Sequence, residues 1–146
     1  MHQYADKEGK DLDEKEGLIK IVTRQHTDGE TEEIVMHTAA KIRGTGEDYS
    51  ITYRDDGGEL EGCETTLRVS RGRRISINRR GPYSSHIIIE KNVRHLSHHD
   101  TPAGSFIMGM SCNEISSDFE SGRLSFSYAT DIEMVPIGEI EFEFEF

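Results

Sequence analysis

The stretch Gly138-Glu-Ile-Glu-Phe-Glu-Phe-Glu-Phe146 puts Ile140, Phe142, Phe144 and Phe146 on one parity and Glu139, Glu141, Glu143 and Glu145 on the other. Only an extended strand sends alternate residues to opposite faces, so this run describes a sheet with one apolar face and one acidic, wetted face. The same alternation recurs upstream over Leu18–Gln25, Glu33–Ile42, Asp48–Arg54, Gly62–Ser70, Arg73–Arg79, Ser85–Lys91, Val93–His98, Ser105–Cys112 and Arg123–Met134. Between these segments stand Asp28-Gly29, Gly44-Thr45-Gly46, Asp56-Gly57-Gly58, Arg71-Gly72, Gly81-Pro82, Lys91-Asn92, Thr101-Pro102, Ser121-Gly122 and Pro136-Ile137-Gly138. Nearly all carry the Gly, Asn or Pro chemistry of tight turns. Apolar residues favour i, i+2, i+4 throughout, and the one place where a short helical turn is expected is Asn113–Phe119.

Connections this short join antiparallel neighbours, because a parallel crossover needs a dozen or more residues. A run of about ten such strands exposes two edges if it stays open and hides both if it closes. The expected fold is therefore all-β: an antiparallel up-and-down closed barrel of about eight to ten strands, with an interior wide enough for side chains or one small ligand.

Composition is consistent with one such domain. The chain has 146 residues, 34% hydrophobic and 31% charged, enough for a single core and ordinary for a globular chain with a wet exterior. No apolar run approaches the roughly 20 residues of a membrane-spanning helix. Residues 1–17 are charged and without periodicity, which reads as a flexible acidic tail ahead of a barrel domain over 18–146. No hydrophobic leader is visible, so the expected location is the cytoplasm. Cys63 and Cys112 sit among apolar alternating neighbours and read as buried reduced thiols. A formal net charge of −11 repels nucleic acid and anionic lipid as a whole-body effect.

Parity assigns the inward face strand by strand: Ile34, Met36, Ala40 and Ile42; Tyr49, Ile51 and Tyr53; Cys63, Leu67 and Val69; Phe106, Met108, Met110 and Cys112; Leu124, Phe126, Tyr128, Ile132 and Met134. Polar residues in phase with this stripe are more informative, because an inward charge is costly unless paired or hydrogen-bonded. Arg79 follows Ile75 and Ile77 at strand spacing, Asp55 continues the face of Ile51 and Tyr53, and Thr65 lies between Cys63 and Leu67. Arg79, Asp55 and Thr65, with the hydroxyls of Tyr53 and Tyr128, are the candidate ligand-binding set. The competing reading is an internal salt bridge and hydrogen-bond network that closes one end of the barrel.

The order Tyr53-x-Asp55, Glu64-Thr65-Thr66-Leu67-Arg68-Val69, Ile77-x-Arg79-Arg80-Gly81, Thr101-Pro102-Ala103-Gly104 and Leu124-x-Phe126-x-Tyr128 resembles the YwiB-like family of small bacterial proteins. The resemblance spans about Ile19 to Phe146 and implies a calycin, lipocalin-like barrel without bringing an activity or catalytic residues. Asp55 stands where that pattern has a glutamate, and His99 stands near its aromatic residue before the Thr-Pro turn.

Two further clusters were weighed. Arg71, Arg73 and Arg74 gather at a hairpin tip within a run free of acids, suited to gripping phosphate or an acidic partner. No aromatics interleave with them, which argues against nucleic acid; the plainer reading pairs them with glutamates of neighbouring strands. His95-Leu-Ser-His98-His99-Asp100 resembles a metal tract, but strand parity converges only His95 and His99, short of the three or four ligands zinc takes. Ser84, Ser85, His86 and Cys112 carry no ordering pattern for nucleophilic catalysis, and no metal or cofactor is expected. The leading expectation is a non-catalytic protein that takes a small hydrophobic or anionic ligand in its barrel. The alternative is a protein–protein interaction module acting through the arginine hairpin, and an enzyme is the weakest reading.

Overall fold

The computed structural model describes residues 2–5, 11–55, 61–101 and 103–146. The strands are β1 (His2–Ala5), β2 (Asp11–Thr27), β3 (Glu30–Thr45), β4 (Asp48–Arg54), β5 (Glu64–Ser70), β6 (Arg74–Arg80), β7 (Ser85–Glu90), β8 (Arg94–Thr101), β9 (Gly104–Asp118), β10 (Arg123–Ile132) and β11 (Val135–Glu145). From β2 to β11 each strand pairs antiparallel with its chain neighbours, and β11 pairs with β2 to close a ten-stranded ring. β1 adds to the edge of β2 ahead of β11. The expected up-and-down barrel is the observed one. The turn expected at Asp56-Gly57-Gly58 and residue Pro102 of the Thr101-Pro102 turn lie outside the described residues.

Side chains fill the lower interior in layers of direct cross-strand neighbours. Tyr49, Val69, Ile75 and Ile89 form one layer, and Ile42, Ile51, Leu67, Ile77 and Ile87 the next; none is more than 4% exposed. Burying each large aliphatic side chain contributes roughly 1.5–3 kcal/mol, so these layers are the main cohesive element. The end of the barrel beneath them is plugged by Tyr49, Phe119 and Phe146, whose ring centroids lie 5.0–6.2 Å apart. The Tyr49 hydroxyl is satisfied at 2.7 Å by Ser117 Oγ. Gly44 makes this packing possible: its φ is +141° and a Cβ there would run into the backbone of Asp48 and Tyr49. On the outer wall, the acidic face of β11 is partly neutralised by Arg24, whose guanidinium meets Glu33 at 2.8 Å and Glu143 at 3.1 Å.

Three expectations are corrected. Asn113–Asp118 is strand, not a helical turn, and Phe119 opens the turn after it: β9 runs on to Asp118, and its register against β10 shifts between Ser127 and Tyr128. The bulge moves the inward parity from Met110 and Cys112 to Ile115 and Phe119, and the resulting spacing of three and four residues imitates a helix. Asp13–Gly17, read as tail, is paired with β3 in continuous register, because the long partner strand satisfies their backbone groups whatever their side chains. Finally, Ile34, Phe106, Ile132 and Met134 are not buried, being 50%, 40%, 39% and 70% exposed. The first three keep the inward parity of their strands but lie at the open end, and Met134 sits in the β10–β11 turn with φ +69°.

Candidate functional site

The connections β2–β3, β4–β5, β6–β7, β8–β9 and β10–β11 gather at the end opposite the aromatic plug. One step above the aliphatic layers, the inward positions turn polar. Tyr53, Thr65, Arg79, Ser85 and His99 are successive cross-strand partners from β4 to β8, with Asp55 just beyond Tyr53. The sequence-derived set of Arg79, Tyr53, Asp55, Thr65 and Tyr128 therefore converges at one level. Tyr53 and Tyr128, 6% and 3% exposed, form the floor.

Thr65 Oγ1 donates to Asp55 Oδ2 at 2.8 Å. Arg79 Nε lies 3.9 Å from the same oxygen, an ion pair without a hydrogen bond. Burial pushes the Asp55 carboxyl above its ordinary range, against the opposing pull of Thr65 and Arg79. Burial also raises both phenols; for Tyr128 the charge of Arg79 acts in the opposite direction. The His99 imidazole is pushed below its ordinary value by burial first, then by the charges of Arg79 and His98.

Among the described residues, four buried side-chain atoms at or one step below this level have no hydrogen-bond partner: Arg79 Nε, Ser85 Oγ, Ser97 Oγ and His99 Nε2. Each such group costs about 1–3 kcal/mol, and four on three consecutive strands is more than a packed interior tolerates without a reason. They flank the one weak seam among the described ladders, since β7 and β8 share only the pairs Ser85↔His99 and His86↔His98. An open groove of about 540 Å³ runs over the outer wall here, lined by Thr66, Asn78, Arg79, Arg80, Ser84, Ser85, His86 and His98. Most of its lining faces outward; only Arg79 and Ser85 belong to the inward row.

The sequence reading missed Ser97, weighed Ser85 only as a nucleophile, and placed His99 in the metal tract and as a departure from the family pattern, not at the site. For Ser85 the signal was present, since it shares parity with the buried Ile87 and Ile89. For β8 it was weak, because the inward positions His95, Ser97 and His99 are all polar and no apolar stripe marks the face. His95 is engaged by Glu90 at 3.1 Å, His98 projects outward to Asp100 at 2.9 Å, and no group of three metal-binding side chains occurs among the described residues. At the other end of the barrel, Arg71, Arg73 and Arg74 make no ion pair among the described residues, contrary to their expected pairing with glutamates. The acids near them are used otherwise: Asp48 accepts from the Arg71 backbone N–H at 3.2 Å, and Glu90, across the ladder from Arg74, is engaged by His95 at 3.1 Å.

These features define a closed ten-stranded antiparallel barrel with a packed interior, one plugged end and one polar mouth. Over residues 19–144 the chain matches the family described as a domain of unknown function (DUF1934), and it belongs to that family. Its fold is similar to the crystal structure of the ywiB protein from Bacillus subtilis, with a TM-score of 0.71 and 17% sequence identity over 90% of this chain and 92% of that one. The resemblance read from the short motifs is thereby borne out. No curated protein matches the chain.

Proposed function

We propose that this protein binds a small anionic ligand at the polar mouth of the barrel rather than in an open lumen, which the aliphatic layers fill. The supporting observation is the set of four unpartnered buried atoms, Arg79 Nε, Ser85 Oγ, Ser97 Oγ and His99 Nε2. Arg79 supplies the fixed charge, and the hydroxyls and imidazole supply donors that rotate to an oxygen. Asp55 sits beside it, its carboxyl pushed above its ordinary range by burial. Two buried free thiols, Cys63 and Cys112, fit a reducing cytoplasmic setting.

The test is thermal stabilisation by small monoanions such as butyrate, read alongside the His99 ring resonances. Wild-type protein is expected to show both responses, and Arg79→Leu to lose both while its far-UV spectrum stays that of the barrel. Retained stabilisation in Arg79→Leu refutes the reading.

A second reading concerns the arginine tip. Arg71, Arg73 and Arg74 are exposed and unpaired among the described residues, at the end away from the mouth, which suits an acidic protein partner. Charge reversal at Arg73 and Arg74 would remove such a partner from a pull-down; unchanged recovery would exclude the tip.

A further inference from the structure

The wall of the mouth is divided by strand. From β4 to β8 the inward residues at and above the tyrosine floor are Asp55, Thr65, Arg79, Ser85 and His99, with Ser97 one step below. From β9 round to β3 the inward wall carries apolar side chains, with Thr130, Thr23, Gln25 and Thr38 set among them. Met108, Ile140, Phe142 and Met36 are partly buried and pack on the core cluster. Above them Phe106, Ile132 and Ile34 keep the inward parity and are 40%, 39% and 50% exposed. An inward-facing apolar side chain exposed to that degree fronts a space that water occupies, and the exposure costs stability unless something covers it.

Tyr128 joins the two arcs. Its phenol lies within the field of Arg79, its ring centroid is 6.3 Å from that of Phe142, and its strand partner is Ile140. A molecule whose anionic end reaches Arg79 therefore has its remaining atoms directed over Tyr128 onto the apolar arc. Two residues along a strand, as from Met108 to Phe106 or Met36 to Ile34, span about 7 Å, the length of several methylene groups.

We propose that the ligand is an amphiphilic anion, a carboxylate or similar oxyanion on a short to medium alkyl chain. The head meets Arg79, Ser85 and His99, and the chain covers Met108, Phe106, Met36 and Ile34. This rests on the anion-binding reading above and adds the requirement for an apolar tail.

The experiment is a calorimetric comparison of octanoate, butyrate and 1-octanol against the full chain and the variants Arg79→Gln, Arg79→Lys, Ile34→Asn and Phe106→Ser. Octanoate is expected to bind at least tenfold more tightly than butyrate or octanol. Arg79→Gln should reduce octanoate to the level of octanol, and Arg79→Lys should recover part of the loss. Ile34→Asn and Phe106→Ser alter exposed positions, so the fold is retained; they should bring octanoate down to the level of butyrate. Equal binding of octanoate and butyrate, both dependent on Arg79, overturns the tail and leaves the anion site standing. Octanoate binding indifferent to Arg79, or no binding of either acid, overturns the anion site and the tail with it.

Discussion

Arg79 Nε and Asp55 Oδ2 stand 3.9 Å apart, close enough to feel each other's charge and too far to share a proton. The carboxylate takes its hydrogen bond from Thr65 instead, and the guanidinium Nε is buried without a hydrogen-bond partner among the described residues. A salt bridge that closed the barrel end would have brought these groups together. A double-mutant cycle of Arg79→Met with Asp55→Asn should therefore give a coupling energy below about 1 kcal/mol, in the range of loose pairs. A coupling above about 2 kcal/mol would mark a closed internal bridge and remove the case for a ligand.

Thr65 is fully buried and donates to Asp55 at 2.8 Å. Thr65→Val keeps the shape and deletes that donor. It should cost about 1–3 kcal/mol in urea denaturation and move the Asp55 carboxyl further up in an NMR titration, because the lost bond favoured the charged form. A carboxyl that stays put would show that Thr65 does not hold it.

His99 gives the site a signed pH dependence. The fold keeps its imidazole below the ordinary value of 6.5, so as pH falls below that value the unfolded chain takes up the proton first. Stability then rises with pH through this window and is lost as pH falls toward the folded value. His99→Asn should flatten that part of the profile relative to wild type. An anion beside Arg79 offsets the guanidinium charge that now opposes protonation, so bound butyrate should raise the His99 value in an NMR titration. A downward shift would place the anion elsewhere.

Gly44 occupies a backbone region that only glycine enters cheaply, with backbone atoms of Asp48 and Tyr49 where its Cβ would be. Gly44→Ala should destabilise by about 3 kcal/mol or more. Gly29, which has φ +79° but open space around it, should lose only about 1 kcal/mol on the same substitution. Comparable losses at the two sites would mean that the close approach to Tyr49 contributes nothing.

The β7–β8 seam has two ladder pairs where β5 and β6 share seven. Segments with fewer backbone bonds open more readily, so the amides of β7 and β8 that face each other across this seam should exchange with deuterium ahead of those in β5 and β6. Equal protection would mean that side-chain packing alone holds the seam shut.

Much of this barrel is written in the chain. The parity of Ile140, Phe142 and Phe144 against their glutamates, and the same parity in Ile51, Leu67, Ile75 and Ile77, specifies strands and which face is buried, because a strand's side chains alternate by geometry alone. Short turns make the strands antiparallel, and hiding the two free edges makes the sheet close. Parity also put Arg79, Asp55 and Thr65 on the inward face. What parity lacks is height along the barrel axis. Ile34 and Ile42 share a face and a side-chain type, yet one is half exposed and the other 2% exposed, because closure with a stagger carries β3 beyond the end of β4. The bulge in β9 likewise leaves no mark in the alternation except to break it. That Thr65 reaches Asp55 before Arg79 does, and that Ser85, Ser97 and His99 arrive beside Arg79 without partners, depends on distances between strands. Those distances are fixed only when the ring closes, because closure determines register, and register determines which inward residues meet.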